Sequence, residues 1–321
     1  MAQPRFTRVW FLTGCSSGLG KLFVSAIVAR GDKVIATARD ITTLSEFEHN
    51  EDVRLLRLDV TETQDILNEI ATKAIQVFGH IDVLVNNAGY VLSHVWEETR
   101  QSDLLHQFNT NVFGPLNLTR AFLPHMRSRR SGTVIFMSSI AAWLGVAVGG
   151  PYSASKFALE GSVESLEKEV APFGVHVHLA VLGQFRTAIL ESTRRKTDRT
   201  LESISDYDGA VEAFQTRLEQ TNGKQPGDPV QAVERVVDAV CRTGHFAGYE
   251  NIPLRIVLGS DAIEIIRDQC QGMLRDLEGQ QELARSTDFL GEAKLGDINN
   301  FVAYVFYHPR FQFCSKLQEV E

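Results

Sequence analysis

Cysteine is scarce in this chain. Four residues in 321 (Cys15, Cys241, Cys270, Cys314) are scattered, with no CxxC pair. That spacing gives neither a zinc site nor a disulfide framework, so no metal is expected and free thiols in a reducing, cytoplasmic setting are. Positive charge is not in excess: 32 Lys and Arg stand against 40 Asp and Glu, a net of -8, which argues against a nucleic-acid partner. The clusters Arg127–Arg130 and Arg194–Lys196 read as solvated helix ends or loops. Long apolar runs are missing too. The longest, Ile140 to Pro151, is too short and too rich in glycine to span a bilayer. The opening MAQPRFTRVWFLTG has no extended apolar stretch of the signal-peptide kind. There are no internal repeats and no low-complexity tracts.

What is present is a globular composition, 44% hydrophobic and 22% charged, enough for a large core. Short apolar, mostly β-branched segments at 7–12, 33–37, 53–58, 81–85, 132–138, 175–181 and 254–258 read as strands. Between them, 18–30, 62–78, 102–129, 152–172 and 228–242 read as helices, with Gly31, Gly79, Gly132 and Gly174 placed as C-terminal caps. This alternation predicts an α/β fold, a doubly wound, mostly parallel seven-stranded sheet of Rossmann type, with a ligand at the carboxyl ends of the strands. Residues 1–260 form that domain; 261–321 form a C-terminal helical extension and aromatic tail rather than a separate domain. Ile263, Ile266, Met273, Leu274 and Leu277 are expected to pack on the rim. The tail, containing FVAYVFYHPRFQFC, is placed as a cleft cover, a subunit contact or an unstructured end.

Two motifs carry chemistry. In Tyr152-Ser-Ala-Ser-Lys156 the tyrosine and lysine lie four apart, on one face of a helix. An ammonium beside a phenol favours the phenolate, so the pair suits proton transfer to or from an alcohol oxygen. Ser139 stands thirteen residues upstream of Tyr152, with Ser138 as the alternative on the opposite strand face. The second motif is Thr13-Gly-Cys-Ser-Ser-Gly-Leu-Gly20, between a strand and a helix, which is the context of a dinucleotide-binding loop. Gly14 permits the tight turn, and Gly18 and Gly20 permit close approach of pyrophosphate and helix. Cys15 in this loop is either a redox sensor or a small residue that fits there.

Taken with LDVT (58–61), NNAG (86–89) and NVFG (111–114), in this order and spacing, the chain resembles the compact short-chain dehydrogenase/reductase family over roughly residues 7 to 260. The resemblance implies an oxidoreductase with Ser139, Tyr152, Lys156 and Asn111 as catalytic residues. It implies cofactor contacts from Thr13, Gly14, Ser16, Ser17, Gly18, Leu19, Gly20, Asp59, Val60, Asn86, Ala88, Gly89, Tyr152, Lys156, Phe185 and Thr187. Leu182 stands where the family usually has proline. No carboxylate occupies Thr37 or Ala38 to accept the ribose hydroxyls, and Arg39 follows instead. A guanidinium suits a 2′-phosphate, so NADP(H) is expected; otherwise Arg39 is a surface residue and preference is mixed.

The reaction expected is reduction of a ketone or aldehyde of a small molecule with much apolar surface, of steroid, retinoid, polyketide or terpenoid type. The apolar segment from Ile140 to Val146 either lines that substrate or covers the core, and a polar lid is expected over 183–228. The long C-terminus is similar to those of reductases in microbial secondary metabolism. Alternatives are NADP+-dependent alcohol oxidation by the same site, a non-catalytic NADPH-binding regulator, and an epimerase of the family's extended branch. The resemblance also implies a homodimer or homotetramer through helices 102–129 and 152–172.

Overall fold

The computed structural model describes residues 7–187, 189, 195–196 and 203–288. Seven strands form one parallel sheet: β1 (Val9–Leu12), β2 (Lys33–Ala38), β3 (Val53–Arg57), β4 (Val83–Asn86), β5 (Gly132–Ser139), β6 (Val175–Leu182) and β7 (Arg255–Leu258). Their order is β3-β2-β1-β4-β5-β6-β7. The winding direction reverses between β1 and β4, which opens a crevice at their carboxyl ends. Register keeps those ends level, with Leu12 opposite Val85, Asn86 opposite Phe136, and Ser139 opposite Leu182.

Period-two alternation along the strands divides the core in two. Phe11, Ile35, Leu84, Val134 and Phe136 face one side, where they meet Leu67, Leu118, Phe122, Leu159 and Val163. These come from α2 (Gln64–Phe78), α4 (Gly114–Arg129) and α5 (Gly150–Val170). Trp10, Leu12, Val34, Val83, Val85 and Ile135 face the other side and pack on Phe23, Val24 and Ile27 of α1 (Gly18–Ala29), with Val233 and Val236 from farther along the chain. Burial on both faces explains why these strands read as near-continuous apolar runs. At about 25 cal/mol per Å² of apolar surface, it is also the main source of stability.

Local signals fix the helix ends. Thr63 caps α2 by accepting from the Ile66 amide, and Asp65 adds negative charge to the first turn. Gly79 ends α2 in the left-handed region, φ 82°. Gly132 does not act as a cap. Arg130 takes the left-handed conformation that ends α4, while a Cβ on Gly132 would fall 2.7 Å from Met126, so that glycine serves close packing.

The single helix expected over 102–129 is interrupted. It runs as α3 (Gln101–Phe108), a π-helical turn (Asn109–Phe113) and α4, and the turn contains Asn111. Such turns commonly mark functional sites. Within 183–228 the structure has α6 (Asp208–Thr221), and α7 (Pro229–Cys241) follows with Asp228 as its cap. Val91–Leu92 pairs in parallel with Arg195–Lys196.

The chain divides into two compact units, Met1–Arg267 and Asp268–Glu321. The division falls inside α8 (Ser260–Gly279), which α9 (Gln281–Arg285) follows. Ile266 packs on the core as expected, whereas Ile263, Met273, Leu274 and Leu277 are exposed. The aromatic tail lies outside the described residues. Among the described residues, no helix is long and apolar enough to cross a membrane.

His178 on β6 tests the burial argument. It is buried with Nδ1 2.9 Å from the Pro253 carbonyl, and desolvation holds its pKa down at about 4, with the charges of His176 and Arg242 acting the same way. Unfolded, it would take up a proton near pH 6.5. Between these values the unfolded chain binds the extra proton, so this contribution to stability is full above about pH 6.5 and is lost as pH falls towards about 4. The melting temperature of the wild type should fall across that window, and that of His178→Asn should fall less. An identical decline in both proteins would show that His178 is not the group responsible.

Candidate active site

The site is built at the carboxyl ends of β1, β4 and β5. β1 leads into the glycine loop, where the three glycines serve different needs. Gly14 has φ 70°, and a Cβ there would lie 2.9 Å from the Ala88 backbone. A Cβ on Gly20 would fall 2.1 Å from the Gly14 carbonyl oxygen, so α1 can seat on the loop only without a side chain. Gly18, φ 55°, has open space ahead of it. It leaves a cradle at the first amides of α1, the arrangement that receives a phosphate group. Ser16 is exposed, and Ser17, at the cap of α1, makes no side-chain bond to the helix. Leu19 packs on the core beneath.

A second strand end holds this loop. Thr13 Oγ1 accepts from the Asn87 and Ala88 amides, each at 2.9 Å. Asn87 Nδ2 in turn donates to the carbonyls of Thr13 at 2.9 Å and Gly14 at 3.1 Å. Asn87 is thus the residue of NNAG whose side chain clamps the loop, a role the motif alone does not assign to it rather than to Asn86, Ala88 or Gly89. The Asn86 side chain is buried: its Nδ2 donates to Thr119 Oγ1, 3.0 Å away, and its Oδ1 has no partner among the described residues. The signal was the doubled asparagine, but alternation at a strand end had to be resolved before either could be assigned.

At the adenosine end, Thr37 is fully buried and donates to the Leu12 carbonyl at 2.8 Å. Arg39 is exposed, and Arg57 Nε donates to its carbonyl at 3.2 Å, which brings two guanidinium-bearing residues to this edge. The neighbouring carboxylate, Asp40, caps the next turn by accepting from the Thr42 amide and hydroxyl. Those bonds hold its pKa below the usual range. Asp59 likewise accepts from Thr61 at 2.9 and 2.8 Å, and Val60 is buried beside Gly114.

β5 and α5 assemble the reactive groups. Alternation turns the Ser138 hydroxyl inward, where it donates to Glu160 at 2.6 Å, and turns Ser139 towards Tyr152. The hydrogen bond from Ser139 favours the phenolate, yet burial is the larger effect and raises the Tyr152 pKa. This corrects the expectation that Lys156 depresses it. Lys156 Nζ is 5.7 Å from the phenol ring centroid and donates instead to the Met137 carbonyl at 2.7 Å. Burial pulls Lys156 itself down to about 8, against the opposing attraction of Glu160. Asn111 does not reach this pair directly. Its carboxamide spans Tyr90, accepting from the amide at 3.2 Å and donating to the carbonyl at 3.0 Å, and it also donates to Ser155 Oγ at 3.3 Å.

Beyond β6 the loop runs from Leu182 to Thr187. A Cβ on Gly183 would strike Asp261 Oδ1 at 2.1 Å, and the Gln184 amide donates to Asp261 Oδ2 at 2.7 Å. This acid, in the first turn of α8, shapes the loop that Leu182 opens, and nothing local in the sequence marks it. Phe185 bridges to Gly227, and the Thr187 amide donates to the Phe185 carbonyl at 2.9 Å. The wall before Tyr152 is divided. Ala141 and Ala142 are buried and Trp143 packs on the core, which leaves Ile140, Leu144 and Val146 partly exposed. Val148 is held at φ 65°, a strained conformation for a β-branched residue, and is buried against Val95 and Val211.

A family profile described as short chain dehydrogenase matches residues 8–198. The chain is 34% identical over 236 residues to a 3-ketodihydrosphingosine reductase of Bacteroides thetaiotaomicron, covering 73% of this chain and 84% of the relative. A short-chain dehydrogenase from Streptomyces avermitilis superposes with TM-score 0.78 at 35% identity, covering 89% of this chain and all of the other. Another from Burkholderia cenocepacia, solved in complex with NADP, gives TM-score 0.61 at 26% identity over 88% of this chain and 98% of its own.

The Asn87 clamp has a direct check. Asn87→Ala should weaken nicotinamide dinucleotide binding about thirtyfold, measured by titration calorimetry, because two loop carbonyls lose their donor, at about 1 kcal/mol each. Unchanged affinity would mean that the glycines alone hold the loop.

Proposed function

The chain belongs to the short-chain dehydrogenase family, oxidoreductases acting on CH–OH or C=O groups, and from that premise we propose an NADP(H)-dependent reductase of ketones or aldehydes on largely apolar small molecules. The observation that carries this reading is the convergence of Ser139 on Tyr152, with Lys156 one helical turn along α5 and the glycine cradle two strands away at the end of β1.

The cofactor's residues fit. Gly18 leaves its cradle at the first amides of α1, and the Arg39 edge offers positive charge while Asp40 is occupied as a cap. The Burkholderia cenocepacia relative holds NADP, which agrees with that edge. When bound, the nicotinamide supplies hydride to the carbonyl carbon. Tyr152, whose pKa burial raises, holds its proton at neutral pH and gives it to the carbonyl oxygen. Ser139 donates to the same oxygen and stabilises the charge that develops there. Lys156, held by Met137, places positive charge beneath the phenol. Asn111 fixes the strap at Tyr90 and reaches the proton-transfer helix through Ser155.

Substrate class follows from the half-exposed Ile140, Leu144 and Val146, together with α6 resting on Val95 and Val148. The Bacteroides relative, by its name, reduces a ketone on a lipid chain, which fits an apolar cleft.

Oxidation of NADPH and of NADH should be followed over a panel of hydrophobic ketones and aldehydes. Tyr152→Phe should bind NADPH normally and lose at least about a hundredfold in kcat, the usual contribution of a positioned acid; near-normal turnover would sink the assignment. Arg39→Ala should weaken NADPH binding more than NADH binding, by about 1–2 kcal/mol for a lost charge-assisted contact. Equal losses for both would remove the cofactor preference.

A further inference from the structure

We propose that Glu160 is a positioning residue of the proton-transfer site: held by Ser138 and Arg255, its carboxylate locks β5 to α5 and sets the charge that faces the Lys156 ammonium. For its effect on turnover this rests on the reductase reading; the geometry stands apart from it.

Glu160 lies one helical turn beyond Lys156 and is only 5% exposed. A carboxylate so buried is costly unless its oxygens are satisfied. One accepts from Ser138 at 2.6 Å and the other from Arg255 Nε at 2.8 Å. Ser138 lies between Met137, whose carbonyl receives Lys156, and Ser139, which meets Tyr152. A single carboxylate therefore ties the strand that presents both partners to the helix that carries Tyr152 and Lys156, and joins them to β7.

The charge pattern separates this from a simple buried ion pair. Arg255 is shared: its second nitrogen donates to Glu164 at 3.1 Å, and its guanidinium lies 5.6 Å from the Trp143 ring centroid. Lys168 reaches Glu164 at 3.5 Å from the solvent side. Arg255 thus neutralises Glu160 only in part, and Lys156 is the second cation of the cluster. The groups around Lys156 are Tyr152 and Glu160 on α5, the Met137 carbonyl and Ser139 on β5, and the uncharged Asn111 beside Ser155 from the π-helical turn. Arg255, Glu164 and Lys168 act through Glu160. Burial drives Lys156 towards the neutral amine and Glu160 opposes it. Without that anion, the lysine would lose charge at the pH at which the phenol must act.

The test needs no substrate. The Lys156 side chain is titrated by NMR in full-length protein carrying ¹³C-labelled lysine, its signal assigned by its loss in Lys156→Met. In Glu160→Gln, which keeps the shape, the Lys156 midpoint should move down by about one pH unit, the order expected for one nearby opposite charge. A loosened site would admit water and move it up, towards the ordinary lysine value. An unmoved or raised midpoint overturns the proposal. Should Glu160→Gln fail to fold, Glu164→Gln at the rim decides: it hands Arg255 wholly to Glu160 and should lower the midpoint by a smaller step. No movement, or a rise, overturns the proposal there too. Because the readout is a titration, failure of the ketone panel would leave this result standing, and the reverse.

Discussion

Side-chain alternation at the end of β5 is the constraint from which the site follows. Three consecutive residues do three jobs because a strand must turn successive groups to opposite faces. The Met137 carbonyl receives Lys156, Ser138 points inward to Glu160, and Ser139 points out to Tyr152. A slip of one residue, in either direction, would leave either Tyr152 or Glu160 without a serine hydroxyl. Pairing of β5 with both β4 and β6 prevents that slip, since the register is set on each side by fully buried apolar residues.

Burial also decides which form each reactive group takes. Water exclusion makes charge expensive, so the phenol is raised and the ammonium lowered; each is pushed towards its neutral form. Motif logic alone had suggested the reverse for Tyr152, because a lysine four residues away reads as a charge acting on a phenol. In the folded chain that charge is turned to a carbonyl and attenuated by its own burial.

Much of this fold could be read before any coordinates. All seven strands were legible within about two residues, because short β-branched runs between amphipathic segments admit few other readings. That Ser138 and Ser139 face opposite sides of the strand was legible too, from alternation. What escaped the sequence shares one character: it depends on partners distant in the chain. The π-helical turn at Asn109–Phe113 looks like ordinary helix until Tyr90 is placed against Asn111. Asn87 differs from Asn86 only through where Thr13 lies. Asp261 shapes a loop nearly eighty residues earlier, and Glu160 looks like one more helix glutamate until Arg255 arrives from β7.

The strained Val148 follows a similar logic at the substrate side. A β-branched residue at φ 65° costs on the order of 1–3 kcal/mol, and a glycine there, like the Gly149 and Gly150 that follow, would carry the turn more cheaply. What glycine cannot supply is the isopropyl group that fills the space between Val95 and Val211. Burying that group returns free energy of the same order as the strain. The wall before Tyr152 is therefore held by two opposed terms of similar size rather than by one dominant contact. Gly150 sharpens the point from the other side, since a Cβ there would fall within the Trp96 indole ring system. Bulk is excluded at one position and demanded two residues earlier, so the path of the chain into α5, and with it the placement of Tyr152, is set by packing on the substrate side as much as by β5 beneath it.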